Sequence, residues 1–317
     1  MLEQNKSMIL FFIIFILFYI ICAILSFMDK GKNIAGTTKK IILIYHDDLD
    51  GFTGAWAAWK KLKDKAEYVE LGYDTKNYDF LFQLKDKDIY MIDCSLDMRE
   101  MLKLASKNKV ILIDHHFSSK EKADLLPGSV FDDKHSGASL SWKYFHGENK
   151  APFIVRYVED YDIWKFKLPH TMKLMAILNL CSFNFKVWDK TAKMFQDKNK
   201  RKELVKKGQA IVDYQKSLIG ELSNKGQEVI FEGCDAVAVN SPILSSEIGN
   251  HLYTKTGKIG IVWSYKGKDK PKIHVSLRGD GKINLSELAK NYGGGGHKAA
   301  AGFAIDGKIN FPWKPKK

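Results

Sequence analysis

Residues 110–116 read VILIDHH, four aliphatic residues followed by an acid and two histidines. Such a continuous aliphatic run predicts a buried strand with Asp114, His115 and His116 at its carboxyl end. Burying these polar groups is costly unless a partner compensates for their lost solvation. A divalent metal ion is the partner that this set favours, because carboxylate and imidazole are common ligands of zinc, manganese and iron. A strand that simply ends in a solvated turn is the alternative.

Two other stretches repeat this pattern. Residues 41–51 read IILIYHDDLDG, an aliphatic strand followed by His46, Asp47, Asp48 and Asp50. Residues 89–95 read IYMIDCS, a third strand that ends on Asp93. In an open parallel α/β sheet, ligands bind outside the carboxyl ends of the strands. The three stretches therefore predict one cluster of acids and histidines at that edge.

The composition is that of a globular protein of 317 residues, which is long enough for two domains. The formal net charge is +13, from 50 Lys and Arg against 37 Asp and Glu. A surface of this charge attracts polyanions such as nucleic acid. Lysines on solvated faces, with no functional meaning, explain the charge equally well.

Residues 8–28 contain no charged side chain and are long enough to cross a bilayer as a helix. They lack the small-x-small cleavage site of a signal peptide, so we expect a retained anchor. Positive charge is in excess after this segment, as Lys30, Lys32, Lys39 and Lys40. The sequence therefore predicts a single-pass membrane protein whose catalytic domains face the cytoplasm. The scattered cysteines agree with a reducing compartment.

Strands alternate with helical patterns up to about residue 195, which predicts an α/β fold with a doubly wound parallel sheet. A long basic helix, residues 198–222, would join this domain to a smaller α/β domain of short strands. The predicted division is an anchor at 1–28, a linker at 29–40, a first domain at 41–190, a connecting helix at 191–225 and a second domain at 226–317.

Two further stretches carry polar groups of interest. Residues 157–164 read YVEDYDIW, where Asp160 or Asp162 could add a fourth acid to the cluster or belong to a solvated helix face. Residues 293–303 read GGGGHKAAAGF. Backbone N–H groups in such a glycine-rich loop can bind an anion, with His297 as an added donor.

Taken together, these motifs resemble the DHH phosphoesterase superfamily. They are HDDLDG at 46–51, MIDCS at 91–95, DHH at 114–116, DYDIW at 160–164 and GGGGH at 293–297. The resemblance extends over nearly all of the chain after the linker. It is strongest to the small nuclease branch, the nano-RNases or oligoribonucleases, in which a DHH domain precedes a DHH-associated domain. The membrane anchor is a departure, since these enzymes are usually soluble.

The resemblance implies a site with two metal ions, most simply Mn²⁺, with Mg²⁺ or Co²⁺ as alternatives. One ion would be held by His46, Asp48 and Asp93. The other would be held by Asp50, Asp93, His115 and Asp162, with Asp93 bridging and Asp160 as an alternative fourth acid. Asp114 would orient the imidazoles and His116 would face the substrate, as the catalytic pair. Substrate phosphate would be bound by Arg278, Gly294, Gly295, Gly296 and His297.

The expected activity is hydrolysis of short single-stranded RNA or DNA by water activated between the two ions, without a side-chain nucleophile. Hydrolysis of a small phosphate compound, such as a cyclic dinucleotide, a nucleoside bisphosphate or pyrophosphate, is the first alternative. A non-catalytic nucleic-acid-binding membrane protein is the second. The preference for RNA or DNA, the substrate length and the oligomeric state stay open.

Overall fold

A computed structural model describes residues 34, 36–72, 78–266, 271–307 and 311–316. Its strands are β1 (Ile41–His46), β2 (Ala66–Leu71), β3 (Asp88–Ile92), β4 (Lys109–Asp114), β5 (Val130–Phe131), β6 (Gln227–Phe231), β7 (Cys234–Asn240), β8 (Ile259–Lys266), β9 (Lys272–Arg278), β10 (Gly295–Gly296), β11 (Ala300–Asp306) and β12 (Trp313–Pro315). Its α-helices are α1 (Leu49–Leu62), α2 (Met98–Ala105), α3 (Lys120–Leu125), α4 (Gly137–His146), α5 (Phe153–Asp162), α6 (Thr171–Leu178), α7 (Phe185–Gln196), α8 (Lys198–Ser223), α9 (Ser245–Thr256) and α10 (Leu285–Lys290).

The first sheet has the order β2-β1-β3-β4-β5, and every pair of neighbours is parallel. From β1 the chain moves outward in one direction to β2, and then in the other direction through β3, β4 and β5. The strand order therefore reverses between β1 and β3. Ligands of open α/β sheets bind at the carboxyl ends of the strands on either side of such a reversal.

Both faces of this sheet are buried, which explains its nearly continuous aliphatic strands. In β4, Ile111 and Ile113 point toward α1 and α4–α7, whereas Val110 and Leu112 point toward α2 and α3. The predicted α/β fold with a parallel sheet is therefore confirmed, with helices on both faces. We call β1–β5 with α1–α7 the N-terminal unit.

The second sheet has the order β10-β11-β9-β8-β7-β6-β12. Only β7 and β8 pair in parallel among its described strands. One face packs on α10 and the other on α9, around Phe231 and Leu277 on the first side and Val239 and Ile248 on the second. The predicted second sheet is confirmed, and its antiparallel pairs are a feature that the short strand patterns did not indicate. We call β6–β12 with α9 and α10 the C-terminal unit.

Helix α8 joins the two units. Asp197 caps its N-terminus by accepting hydrogen bonds from the Asn199 and Lys200 N–H groups (2.9 and 3.0 Å). Gly208 lies against α6 so closely that a Cβ atom there would be 2.0 Å from the Lys173 carbonyl oxygen. Near the other end, Ile219 packs against the core of the C-terminal unit. The helix therefore has tertiary contacts with both units.

The predicted anchor, residues 8–28, lies outside the described residues and stays a prediction. Within the described ranges, no helix is long and apolar enough to cross a membrane. Several short elements had no signal in the sequence: α3, β5 and β12 each contain six residues or fewer. Elements of this length carry too few residues to establish a hydrophobic period.

Candidate metal centre

The first ligand group follows β1. His46 is the last residue of the strand, and its Nδ1 atom lies 2.7 Å from Asp48 Oδ2. Asp48 caps α1, because its other carboxylate oxygen accepts a hydrogen bond from the Gly51 N–H group (2.9 Å). This cap starts the helix at Leu49. One residue thus fixes the helix start and faces the site.

Asp50, in the first turn of α1, points back into the N-terminal unit. It is buried, and its two oxygens accept hydrogen bonds from the Gly137 and Ala138 N–H groups (2.6 and 3.0 Å). These are the free N–H groups of the first turn of α4, which carry partial positive charge. The N-terminus of α4 therefore holds Asp50 in place beside the cluster.

Asp93 follows β3 in a left-handed conformation, with φ at +58°. A non-glycine residue in this region is uncommon and persists only when its surroundings hold it. Its N–H group donates to the Ile113 carbonyl of β4 (3.0 Å). Gly137 lies against it, and a Cβ atom there would be 2.7 Å from Asp93 Cβ and 2.9 Å from Asp50 Oδ2. Only glycine leaves room for both carboxylates.

The two oxygens of Asp93 face two different groups of polar side chains. Oδ2 lies 3.9 Å from His46 Nδ1. Oδ1 lies 3.2 Å from His115 Nε2, and that nitrogen lies 3.4 Å from Asp162 Oδ2 and 3.8 Å from Asp50 Oδ2. His46, Asp48 and Asp93 form one group whose ligand atoms could hold a metal ion, and Asp50, His115 and Asp162 form a second. Asp93 lies between them.

The buried oxygens of this cluster are short of donors. Asp93 Oδ1 and Asp162 Oδ2 have no hydrogen-bond partner within the part of the chain that the structure describes. Unsatisfied buried polar atoms are rare in proteins and call for an explanation. Carboxylate and imidazole atoms in two adjoining groups are a donor set that fits two divalent cations such as Mn²⁺.

The electrostatics lead to the same interpretation. Burial, reinforced by neighbouring carboxylates, raises the pKa of Asp50 to about 7 and the pKa values of Asp93 and Asp162 well above their usual range. A bound cation would remove this penalty. Burial and the nearby His116 lower the pKa of His115 to about 3, so His115 is a neutral imidazole, the form that coordinates metals.

Asp114 is buried beside Asp93 and His115, and its carboxylate is taken up by hydrogen bonds from nearby residues of its own chain segment. One oxygen accepts hydrogen bonds from the N–H groups of His115 and His116 and from His116 Nδ1 (2.7, 3.1 and 2.8 Å), and the other accepts from Ser119 Oγ. Burial opposes ionisation of His116, but Asp114 outweighs it and raises the pKa of His116 to about 9. His116, a quarter of whose side chain is exposed, is therefore an imidazolium at neutral pH.

The choice between Asp160 and Asp162 is a matter of helix geometry. Asp160 is buried, and its carboxylate accepts hydrogen bonds from the Lys167 and Leu168 N–H groups (2.7 and 3.1 Å) and from the Thr171 hydroxyl. Residues two apart on a helix do not share a face. The structure accordingly brings Asp162 into the cluster and directs the Asp160 carboxylate toward the loop that follows α5.

The C-terminal unit supplies the opposite wall. A cleft of about 950 Å³ between the two units is lined by His46, Asp93, His115, His116 and Asp162 on one side and by Arg278, Gly294, Gly295, Gly296 and His297 on the other. The glycine-rich stretch is a β-hairpin, since β10 pairs with β11 and the His297 N–H group donates to the Ala300 carbonyl (2.7 Å). The His297 ring centroid lies 5.2 Å from that of His115. The hairpin therefore places His297 directly over the DHH histidines.

Arg278 is held within the C-terminal unit. Its guanidinium donates to Ser276 Oγ (3.0 Å), to the Leu277 carbonyl (2.8 Å) and to Ser246 Oγ (2.6 Å). A guanidinium has five N–H donors, so donors remain for an anion in the cleft. These contacts fix the orientation of the group before any ligand is bound.

Sequence patterns did not identify two sets of contacts at the cleft. Lys122 Nζ donates to Ser95 Oγ (2.8 Å), and Ser95 Oγ lies 2.9 Å from Ser119 Oγ, which in turn donates to Asp114. Tyr161 donates to Glu247 Oε1 (2.6 Å) and so joins α5 to α9. Lone Ser, Lys and Tyr residues far apart in sequence carry no spacing signal that could have revealed either set.

Comparison with known families agrees with this architecture. Residues 40–163 match the DHH family, N-terminal domain, and residues 236–312 match the DHHA1 domain. The chain carries a DHH domain and a DHHA1 domain. The order of these two matches agrees with the predicted DHH domain followed by a DHH-associated domain.

Individual relatives are distant. An uncharacterised protein of Acanthamoeba polyphaga mimivirus is 26% identical over 303 residues, 88% of this chain and 71% of its own length. The manganese-bound exonuclease RecJ is 16% identical, with a TM-score of 0.46 over 84% of this chain and 86% of its own. The pGpG-specific phosphodiesterase PggH from Vibrio cholerae is 15% identical, with a TM-score of 0.42 over 85% of this chain and 94% of its own. Identities and TM-scores this low carry no information on the substrate of this chain.

Proposed function

We propose that this chain is a metal-dependent phosphodiesterase of the nano-RNase type, which hydrolyses short single-stranded oligonucleotides. The observation that carries the proposal is the position of Asp93, whose two oxygens face two ligand groups at the base of a cleft. A pure nucleic-acid-binding protein gains nothing from burying so many carboxylates, because each one opposes the binding of a polyanion.

In this proposal His46, Asp48 and Asp93 hold one Mn²⁺ ion, and Asp50, Asp93, His115 and Asp162 hold the other, with Mg²⁺ or Co²⁺ as possible substitutes. When bound, the pair of ions supplies activation of a water molecule and neutralisation of charge on the phosphoryl oxygens. No serine or cysteine nucleophile is needed at this site.

The side chains of the protein have separate roles. His116, kept protonated by Asp114, donates a hydrogen bond or a proton to a phosphoryl or leaving-group oxygen. His297 and Arg278 bind a phosphate at the opposite wall, where Gly295 and Gly296 also line the cleft. The N–H group of Gly294 already donates to the Ala289 carbonyl (3.0 Å). Each group is fixed by protein contacts before substrate arrives, so little ordering is required during the reaction.

The hairpin that carries His297 lies close to the metal cluster, and this closeness favours a short substrate. His297 stacks on His116 with ring centroids 5.5 Å apart, so the hairpin limits the space beyond the cluster on that side. The same closeness favours the second candidate function, hydrolysis of a small phosphate compound such as a cyclic dinucleotide. Both candidates use the same chemistry and differ in what fills the remaining cleft.

We also propose that residues 8–28 anchor the enzyme and leave its catalytic domains in the cytoplasm. The proposal rests on the uncharged apolar segment and on the positive charge that follows it.

A substrate panel tests the activity. The purified full-length chain with Mn²⁺ would be offered a dinucleotide, a five-mer, a long single strand, a cyclic dinucleotide and pyrophosphate, and the products would be separated by chromatography. We expect mononucleotides from the dinucleotide and the five-mer. Cleavage of the cyclic dinucleotide or pyrophosphate alone would favour the second candidate, and binding without any cleavage would overturn both.

A further inference from the structure

The loop that follows α5 has an unusual backbone. Trp164, Phe166 and His170 all have left-handed φ values, of +57°, +47° and +68°. This region is sterically unfavourable for side chains with a Cβ atom, and for bulky aromatic residues above all. Such conformations persist only where surrounding contacts enforce them, and they cluster at functional sites.

Asp160 supplies those contacts. Its backbone carbonyl accepts hydrogen bonds from the Lys165 and Phe166 N–H groups (3.0 and 3.1 Å). Its buried carboxylate accepts two more from the Lys167 and Leu168 N–H groups. One residue therefore organises the whole loop, which explains why Asp160 is buried although it lies outside the metal cluster.

The loop presents Trp164 to the cleft. Trp164 lines the cleft beside Asp162 and is the one tryptophan among the described residues that do so. It remains 37% exposed, although its ring contacts those of Phe166 and Tyr161, with centroids 4.8 and 5.8 Å away. An indole that is exposed, yet held by two aromatic neighbours, loses little conformational entropy when a flat ligand packs on it.

The end of α5, just before the loop, is also tied to the opposite unit. The Tyr161 hydroxyl donates to Glu247 Oε1 of α9 (2.6 Å), so the position of the aromatic group relative to the C-terminal unit is fixed. Trp164 thus lines the same cleft as Asp162 of the cluster and Arg278 of the opposite wall.

We propose that Trp164 is a stacking platform for one nucleobase next to the scissile phosphate. The inference rests on the proposed function and deepens it, because it requires a substrate with a base rather than a bare phosphate compound. Aromatic side chains stack on any of the bases, since every base has a π face. Trp164 would thus add affinity for nucleotides without adding sequence preference.

The test compares two ligands that differ only in the base, adenosine 5′-monophosphate and ribose 5-phosphate. Their dissociation constants for the full-length protein with Mn²⁺ would be measured by isothermal titration calorimetry. We expect the nucleotide to bind the wild type about 5- to 150-fold more tightly, the range that one stacked base contributes. Trp164→Leu should bring the two constants together, and Trp164→Phe should keep part of the difference.

Tyr144→Ala is the matched control. Tyr144 is also 37% exposed, but it lies on α4 and does not line the cleft, so its removal should leave the ratio unchanged. Circular dichroism and Mn²⁺ binding check that each variant is folded. A ratio near one in the wild type, or a ratio that Trp164→Leu leaves unchanged, would overturn the inference.

This measurement is independent of the substrate panel. A base-dependent ratio in a protein that cleaves no phosphodiester would overturn the proposed function and leave the Trp164 subsite standing. Cleavage of oligonucleotides combined with a ratio of one would support the proposed function and overturn the Trp164 subsite.

Discussion

The ring of His297, from the C-terminal unit, stacks on the ring of His116, from the N-terminal unit, with centroids 5.5 Å apart and planes inclined by 26°. His116 is the charged member of the pair, because Asp114 raises its pKa, whereas burial and the nearby His116 lower the pKa of His297. Because only the His116 ring is charged, the two rings can stack without electrostatic repulsion. The contact therefore holds the cleft together at the position where a phosphate would bind.

The bridging role of Asp93 leads to the first prediction. Asp93→Ala should abolish hydrolysis and remove bound Mn²⁺, because among the described residues no other carboxylate lies between the two ligand groups. Turnover and the metal content of the purified variant would be measured, with Asp124→Ala, an exposed acid on α3, as control. Near-normal activity in Asp93→Ala would refute the assignment of a two-metal site.

The second prediction concerns substrate length. In the double variant with His297→Ala and Arg278→Ala, kcat/KM for a dinucleotide should fall by about 10²-fold or more, since two phosphate contacts are lost, one of them charged. The loss for a long single strand should be smaller, because the basic face of α8 adds affinity that does not depend on the hairpin. Equal losses on both lengths would show that the C-terminal unit does not measure length.

The third prediction concerns pH. In the metal-free protein the raised pKa of Asp50, about 7, means that the folded state keeps a proton that the unfolded state has lost. Its stability therefore falls as pH rises from about 4 to 7, and bound Mn²⁺ reverses this loss. The increase in Tm on adding Mn²⁺ should be greater at pH 7.5 than at pH 5.5, by roughly 2–4 °C for each kcal/mol.

Thermal scans at the two pH values, with and without Mn²⁺, measure this difference. Asp50→Asn keeps the shape of the side chain without its titration and should show a smaller pH dependence than the wild type. The same increase in Tm at both pH values would contradict the interpretation of these carboxylates as a metal site.

The fourth prediction uses glycine. Gly137→Ala should lower Mn²⁺ affinity and destabilise the fold by about 1–3 kcal/mol, because the new Cβ atom would displace Asp93 and Asp50. Gly220→Ala, on α8, meets nothing within 4 Å and should instead stabilise by about 0.5–1 kcal/mol. Denaturant unfolding measures both changes. If Gly137→Ala bound Mn²⁺ normally, the close packing around Asp93 would not matter for the site.

The fifth prediction tests the anchor. The full-length chain should fractionate with membranes, and a chain that begins at Asp29 should be soluble and retain hydrolytic activity. Both would be expressed alike and followed by fractionation and by turnover of a dinucleotide. If the shorter chain is folded by circular dichroism but inactive, the first 28 residues must contribute to the active protein.

The local sequence was sufficient to predict the parallel sheet and the edge of that sheet at which the polar residues lie. Aliphatic strands such as 110–113 can be recognised because a strand buried on both faces has no polar alternation. The carboxyl ends of parallel strands must meet at one edge, so residues following β1, β3 and β4 could be expected together without knowing any distance. The antiparallel pairing of the second sheet could not be predicted, because the sequence of a short strand does not indicate which strand it pairs with.

Which polar residue faces which neighbour was decided by tertiary structure alone. Asp160 and Asp162 are the same residue type and are separated by one residue. The turn of α5 nevertheless directs the Asp160 side chain toward the loop and the Asp162 side chain toward the cluster. The Lys122–Ser95–Ser119 contacts, the Tyr161–Glu247 bond and the presentation of Trp164 join residues from different elements. Sequence determined the strands and the types of ligand at their ends, because these depend on local hydrophobicity and chemistry. The directions in which these side chains point, and the distances between them, depend on how the helices and the two units pack. Only the folded chain determines them.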